Sequence, residues 1–334
     1  MLQKPDLSDP AIAIRLNEAY GLRAAEVVFL PLGADQATAV YRVVSEDGRP
    51  FFLKLRSRDF DPVGVAVPRL LHQRGVRQVI PPIPTLGRRL WTRLGGFMLV
   101  LYPFVEGRDG NAGMSEAQWV ELGAAIHGIH GSRLPRRVAE RVRREAFAPT
   151  ARDALRRFLA RSGSEAFEDP HGAEMAGLLW GARERVTGLV DRSDELADAL
   201  RARALPFVLC HGDMHRGNVL LEADGTLHVI DWDTLVYAPR EHDFEQIDGA
   251  WGGARGAALF YEGYGPVEVD VTALSYYRDR RFVEDLFVIC ALLLDSREGG
   301  PNREYELELA RRVLAPGGML DAVREMDAAS VVRR

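Results

Sequence analysis

The sequence predicts an α+β chain in two lobes, a small β-rich one with one main helix and a larger, mostly helical one. Three observations predict it. Apolar strand-like runs separated by turn residues fill most of the first hundred positions. At Pro103-Phe-Val-Glu-Gly107 the apolar period changes from two to 3.6. A short β centre at 207–231 then interrupts the helical remainder. The 334 residues suffice for one large domain or two lobes. We place the lobes at 1–104 and 105–334, the second carrying a helical insert over 107–204.

In order, residues 8–21 read as a helix with Ile12, Ile14, Leu16 and Ala19 on its apolar side. Val27 to Val44 reads as strand, polar turn, strand, and Gly48 marks a hairpin into Phe51–Leu55. A segment with Pro62, Gly64 and Pro68 precedes a helix carrying Leu70, Leu71 and His72, which Gly75 ends. Strands follow near Leu90–Trp91 and over Phe97–Tyr102. Ser115-Glu-Ala-Gln118 is a capping box, and Trp119, Leu122, Ile126 and Ile129 recur at helical spacing after it. Leu155, Phe158 and Leu159 mark a second helix of the insert, and Met175 through Val190 a third. In the β centre, Ala223-Asp-Gly225 is a hairpin turn.

Composition narrows the classes. The net charge is -5 and there is no basic arm, which argues against a nucleic-acid partner. Two cysteines in apolar runs, Cys210 and Cys290, form no disulfide framework. The apolar run Leu286–Leu294 is too short to span a bilayer, and the N-terminus lacks a signal-peptide core. These features predict a cytoplasmic protein; we expect a monomer or weak homodimer, which they do not themselves determine. Only two lysines, Lys4 and Lys54, stand against 41 arginines. Lys54 lies within the apolar strand Phe51–Leu55, where a compact ammonium has been kept instead of a planar guanidinium.

The most informative stretch is His211-Gly-Asp-Met-His-Arg-Gly-Asn218, followed one hairpin later by Ile230-Asp-Trp-Asp233. Asp213 and Asn218 have the Asp-x-x-x-x-Asn spacing of a phosphoryl-transfer loop, with a carboxylate for the hydroxyl proton and a neutral oxygen for magnesium. Asp231, at a strand end, supplies a second hard oxygen. Two rival readings use the same residues. Cys210, His211, Asp213 and His215 could ligate a metal, but no second His/Cys cluster closes that site. Asp231-x-Asp233 after an apolar strand resembles a haloacid dehalogenase nucleophile, but that signature normally opens its fold. A hairpin with ordinary surface carboxylates leaves the clustering of Asp213, Asn218 and Asp231 unexplained.

The H-G-D-x-x-x-x-N loop and the Ile230-Asp-Trp232 strand resemble the aminoglycoside phosphotransferase family, whose fold is protein-kinase-like. Gly33-Ala-Asp, Leu99 to Gly107, Ala238-Pro-Arg-Glu241, Phe260 to Gly265 and Ser275-Tyr-Tyr-Arg278 with Val283-Glu-Asp285 resemble its spectinomycin phosphotransferase branch. The resemblance implies an ATP- and magnesium-dependent enzyme, with one or two ions, that phosphorylates a hydroxyl of a cationic small molecule. It implies Asp213 as base, Asn218, Asp231 and Asp233 as the metal group, and Lys54 on the phosphates. The turn Gly33–Thr38, with Gly33 and Asp35, would cover those phosphates. Leu101 to Val105 would be the adenine hinge, with Leu101, Tyr102 and Phe104 at the base. His211 and His215 read as scaffolding for the loop, and Asp243 as its support. The acid expected to pair with Lys54 is not evident, because no Glu lies between Lys54 and Glu106; Asp61 is the candidate, with Asp59 beside it. Glu241, Trp251, Tyr277, Arg281, Glu284 and Asp285 are candidate substrate residues, with Arg281 orienting one of the last two acids. The loop alone does not separate an antibiotic kinase from a kinase of a sugar, amino alcohol or choline-like compound, from a stress-type protein kinase, or from a nucleotide-binding pseudokinase.

Overall fold

The computed structural model describes residues 4–33, 37–57, 60–247, 253–295, 301–318 and 320–321. The chain opens with α1 (Asp9–Tyr20), β1 (Ala24–Leu30), β2 (Thr38–Ser45), β3 (Pro50–Arg56) and α2 (Val63–Gln73). Then come β4 (Thr92–Leu94), β5 (Phe97–Pro103), β6 (Arg108–Asp109), α3 (Glu116–His130), α4 (Arg136–Ala139) and β7 (Arg143–Arg144). Next are α5 (Thr150–Ser164), α6 (Pro170–Gly181) and α7 (Arg183–Arg201). The β centre holds β8 (Val208–Cys210), β9 (Val219–Leu221), β10 (Leu227–Val229) and β11 (Val236–Ala238). It is followed by α8 (Gly253–Tyr264), α9 (Val271–Cys290) and α10 (Pro301–Leu314).

Contacts group the chain into two compact units. The first comprises 1–143, 209–237 and 251–267; the second comprises 144–208, 238–250 and 268–334. Residue 104 lies inside the first. No described helix is long and apolar enough to cross a membrane.

In the first unit, an antiparallel five-stranded sheet runs β1-β2-β3-β5-β4. One face carries Tyr41, Val43, Leu53, Leu55, Leu99 and Leu101, and these bury against Ile12 and Leu16 of α1. Each such side chain contributes roughly 1.5–3 kcal/mol relative to exposure. Ser8 caps α1 and Gly21, at φ 67°, ends it. Helix α2 begins at Val63, so Pro68 stands inside it and not ahead of it as the sequence suggested. The proline only forgoes the bond to the carbonyl four residues back, near the helix start.

Helix α3 has the expected capping box: Ser115 Oγ accepts from Gln118 N–H, and Gln118 Oε1 accepts from Ser115 N–H at 2.9 Å. It packs on α8 through glycines. A Cβ on Gly123 would lie 2.0 Å from the Phe260 carbonyl oxygen, and one on Gly263 would lie 1.8 Å from that of Val120. Strands β6, β9 and β10 form a small sheet, whose β9–β10 turn uses Gly225 at φ 97°.

The second unit is helical. Its core joins Leu155 and Phe158 of α5, Met175 and Leu179 of α6, Val186 and Val190 of α7, and Val283, Leu286 and Ile289 of α9. The single helix expected over 175–190 is two. Ala182, at φ -96° and ψ 6°, separates α6 from α7, so one apolar stripe is shared by two axes.

Candidate active site

All the motif residues treated first belong to the first unit. On β3, the two-residue period places Leu53 and Leu55 in the core and turns Lys54 and Arg56 to the opposite face. Lys54 Nζ donates to Asp231 Oδ1 at 3.0 Å and to Asp233 Oδ2 at 2.6 Å. Arg56 also donates to Asp233 Oδ2. Burial works against the Lys54 ammonium, but Asp231 and Asp233 outweigh it and hold its pKa above the ordinary value. Burial likewise works against ionised Asp231, and the Lys54 charge and hydrogen bond more than offset it, so its pKa lies below the ordinary value. Asp231 reaches this position through a left-handed backbone, φ 64°, which turns the chain sharply after β10.

The His211–Asn218 loop is tied to that strand end by His211. Its Nδ1 accepts from Asp213 N–H at 3.3 Å, which leaves the proton on Nε2 to be donated to the Ile230 carbonyl at 2.9 Å. The ring is fully buried, edge-on to Trp232. Ile230 N–H in turn donates to the Asn218 carbonyl at 3.0 Å. Ile230 therefore anchors both ends of the loop. Gly212, at φ 84°, makes the turn between His211 and Asp213.

Asn218 Nδ2 donates to the Asp213 carbonyl at 2.8 Å and lies 3.3 Å from Asp213 Oδ2. Its amide nitrogen is committed to the loop, and its Oδ1 is the atom left to coordinate. With the Asp231 carboxylate, that makes a set of hard oxygens of the kind magnesium takes. His215 Nδ1 accepts from Gly217 N–H at 3.0 Å, and its Nε2 lies 3.4 Å from Asp213 Oδ2. His215 is thus scaffolding for the loop and also a neighbour of the Asp213 carboxylate.

Known proteins resemble this chain. A model of the phosphotransferase enzyme family matches residues 28–285. The chain belongs to that family. Protein StrN of Streptomyces griseus is 28% identical over 237 residues, 68% of this chain and 70% of the relative. A solved structure of spectinomycin phosphotransferase with ADP and spectinomycin is 29% identical, with a TM-score of 0.89 over 97% of this chain and 99% of that one. An AMP-bound structure of that enzyme gives 0.83 at the same identity and coverage. An amicoumacin kinase, at 18% identity and 0.63, shares the fold. The chain is an ATP-dependent phosphotransferase acting on a hydroxyl, with the kinase-like α+β fold of these enzymes.

Several expected residues of the phosphotransferase stand elsewhere than the sequence suggested. Asp61 does not pair with Lys54. Its Oδ1 accepts from Val63 N–H at 2.9 Å and caps the start of α2. Asp35, Asp59 and Trp251 lie outside the described residues; Gly33, at φ 94°, has the backbone of a tight turn. Leu101 is a core residue whose carbonyl accepts from Ile83 N–H, in the segment ahead of β4, at 2.7 Å. Tyr102 shares the Lys54 face of the sheet, 6.5 Å from the Phe52 ring; burial, with Asp233 and Asp231 nearby, raises its hydroxyl pKa. Phe104 lies under the Arg42 guanidinium, 5.5 Å from its ring centre.

In the second unit, Glu241 is buried and accepts from Asp270 N–H at 2.9 Å. It orders the start of α9 and does not reach outward for a substrate. Asp243 is fully buried. Tyr277 is buried with its ring 4.5 Å from that of His242. Arg281 pairs with Asp285 at 3.2 Å, whereas Glu284 pairs with Arg280 at 2.8 Å. Glu284 and Asp285 keep 44% and 56% of their side chains exposed. Arg280 also holds Glu145, whose side chain is 8% exposed, at 2.6 Å. Sequence reading missed Arg56, Glu145 and Arg280. For Arg56 the signal was present, since it lies two residues from Lys54 on one strand. For Glu145 and Arg280, 135 positions apart, no local signal existed.

Proposed function

We propose that the chain transfers the γ-phosphoryl group of ATP to a hydroxyl of an aminocyclitol or aminoglycoside antibiotic, with spectinomycin the first candidate. The observation that carries the proposal is the convergence of Lys54, Asp231 and Asp233 beside a loop whose Asn218 amide nitrogen is bonded to Asp213. The similarity to a spectinomycin phosphotransferase over 97% of the chain supports the substrate. In this reading Asp213 accepts or orients the substrate hydroxyl proton, and Lys54 neutralises phosphate charge. Asn218 Oδ1 and Asp231 would hold magnesium, with Asp233 close behind. Bound magnesium supplies charge neutralisation on the phosphates. The backbone of 102–105 and the Tyr102 and Phe104 rings would take the adenine, and the turn at 33–38 would cover the phosphates. Residues 1–104 form the nucleotide lobe. Transfer is direct, so catalysis rests on positioning and fixed charge.

The test is an ATP-consumption screen with spectinomycin, other aminocyclitols, amino-sugars and common metabolites. Turnover with spectinomycin supports the proposal. Turnover only with a metabolite sinks the antibiotic reading and retains the kinase. Asp213→Ala should lower kcat by about 10²–10⁴-fold with ADP affinity unchanged; full turnover in that variant would overturn the mechanism.

A further inference from the structure

Lys54 and Arg56 emerge from one face of β3 and converge on one carboxylate, that of Asp233. Both side chains are 17% exposed and that of Asp233 is 31% exposed, so none of the three charges is fully solvated. For Lys54 to serve a phosphate, as the proposed function requires, its bonds to Asp233 and Asp231 must be exchanged. Were Lys54 the sole cation on Asp233, that exchange would strip a half-buried carboxylate of compensation and leave it facing the incoming phosphate. Arg56 removes that obstacle. Its guanidinium stays charged under all working conditions and its fork suits a carboxylate.

We infer that Arg56 is a positioning residue for nucleotide binding. It is the standing counter-ion of Asp233, and by holding that carboxylate it frees Lys54 to move from Asp233 to a phosphate. Among the described residues the acids that hold Lys54 are Asp231 and Asp233, while Asp61 accepts from Val63 N–H at the start of α2. A lysine held by those aspartates needs a second cation if it is to leave them. This inference rests on the kinase reading above and adds Arg56 to it.

The test is a double-mutant cycle between Arg56→Gln and Asp233→Asn, read by calorimetric titration with ADP without divalent metal, so that metal ligation does not enter. Arg56→Gln should weaken ADP binding roughly tenfold, because Lys54 is then retained by Asp233. In the Asp233→Asn background the same change should cost less than about twofold, since no carboxylate remains to be held. Arg56→Lys, which keeps a cation and is the less disruptive change, should recover most of the affinity. An equal loss in both backgrounds would mean that Arg56 meets the phosphates itself and would overturn the inference, as would no loss in either. A parent protein that bound no ADP even with magnesium added would overturn the kinase reading; additivity in a parent that does bind ADP removes only the role of Arg56.

Discussion

Gly212→Ala separates the cost of a backbone conformation from the cost of a displaced catalytic loop. Gly212 has φ 84°, and an added Cβ would stand 2.3 Å from the Thr234 carbonyl oxygen and 3.0 Å from its carbon. The left-handed backbone costs a non-glycine residue about 1–2 kcal/mol. The contact is about 1 Å too short and is backbone on one side, so no rotamer relieves it; overpacking of this kind costs about 1–3 kcal/mol. Together they predict a loss of roughly 2–5 kcal/mol. The loop must also shift, and Asp213 is the next residue. A shift near 1 Å at a reacting group costs about 10²-fold in rate. Gly225→Ala is the matched control. It has φ 97° with nothing within 4 Å of the added Cβ, so it carries the conformational cost alone. Thermal unfolding and ATP consumption with the acceptor are measured on both variants. Gly212→Ala should lose stability and about 10²-fold in kcat, while Gly225→Ala should lose about 1–2 kcal/mol and no rate. Indistinguishable variants, or a Gly212→Ala enzyme with parental kcat, would refute the close approach as the reason for glycine.

Three further outcomes are expected. Gly123→Ala should force α3 from α8 and cost about 3 kcal/mol or more; a melting temperature within a degree of the parent would contradict the packing. Arg280→Met should leave buried Glu145 without its cation and lower stability by about 3–5 kcal/mol, with partial recovery on adding Glu145→Gln; no recovery would show that the pair is not the cause. Glu241 gives a pH dependence. Burial raises its carboxyl above the ordinary 4.5, so the folded state holds its proton more tightly than the unfolded state. Stability from this group is therefore complete at low pH and falls as pH rises above that value. Glu241→Gln, which can still accept from Asp270 N–H, should match the parent near pH 4.5 and gain on it by pH 8. A variant that lost ground as pH rose would reverse the sign and reject the explanation.

The family motif in the His211–Asn218 loop was legible because its spacing is local. Asp213 and Asn218 are five residues apart, and Asp231 follows one hairpin later. The strand around Lys54 was legible as the apolar run Phe51–Leu55 after a hairpin at Gly48, whereas its register against β2 and β5 was not. The break at Ala182 was not, since α6 and α7 share one continuous apolar pattern. The glycines of the α3–α8 contact carried no mark either; their reason is a carbonyl more than a hundred positions away.

The sequence by itself determined the fold class, the family and the strand that carries Lys54, because each is written in short spacings and in residue choice. The tertiary structure alone decided where the charges go. It assigned Lys54 to Asp231 and Asp233, sent Asp61 to a helix cap, brought Arg56 onto Asp233 and buried Glu241. Ion pairing depends on where side-chain tips meet, and Lys54 and Asp233 meet across 179 positions of chain. No local pattern of residues specifies a distance of that kind; only the packed sheet and the turn after β10 do.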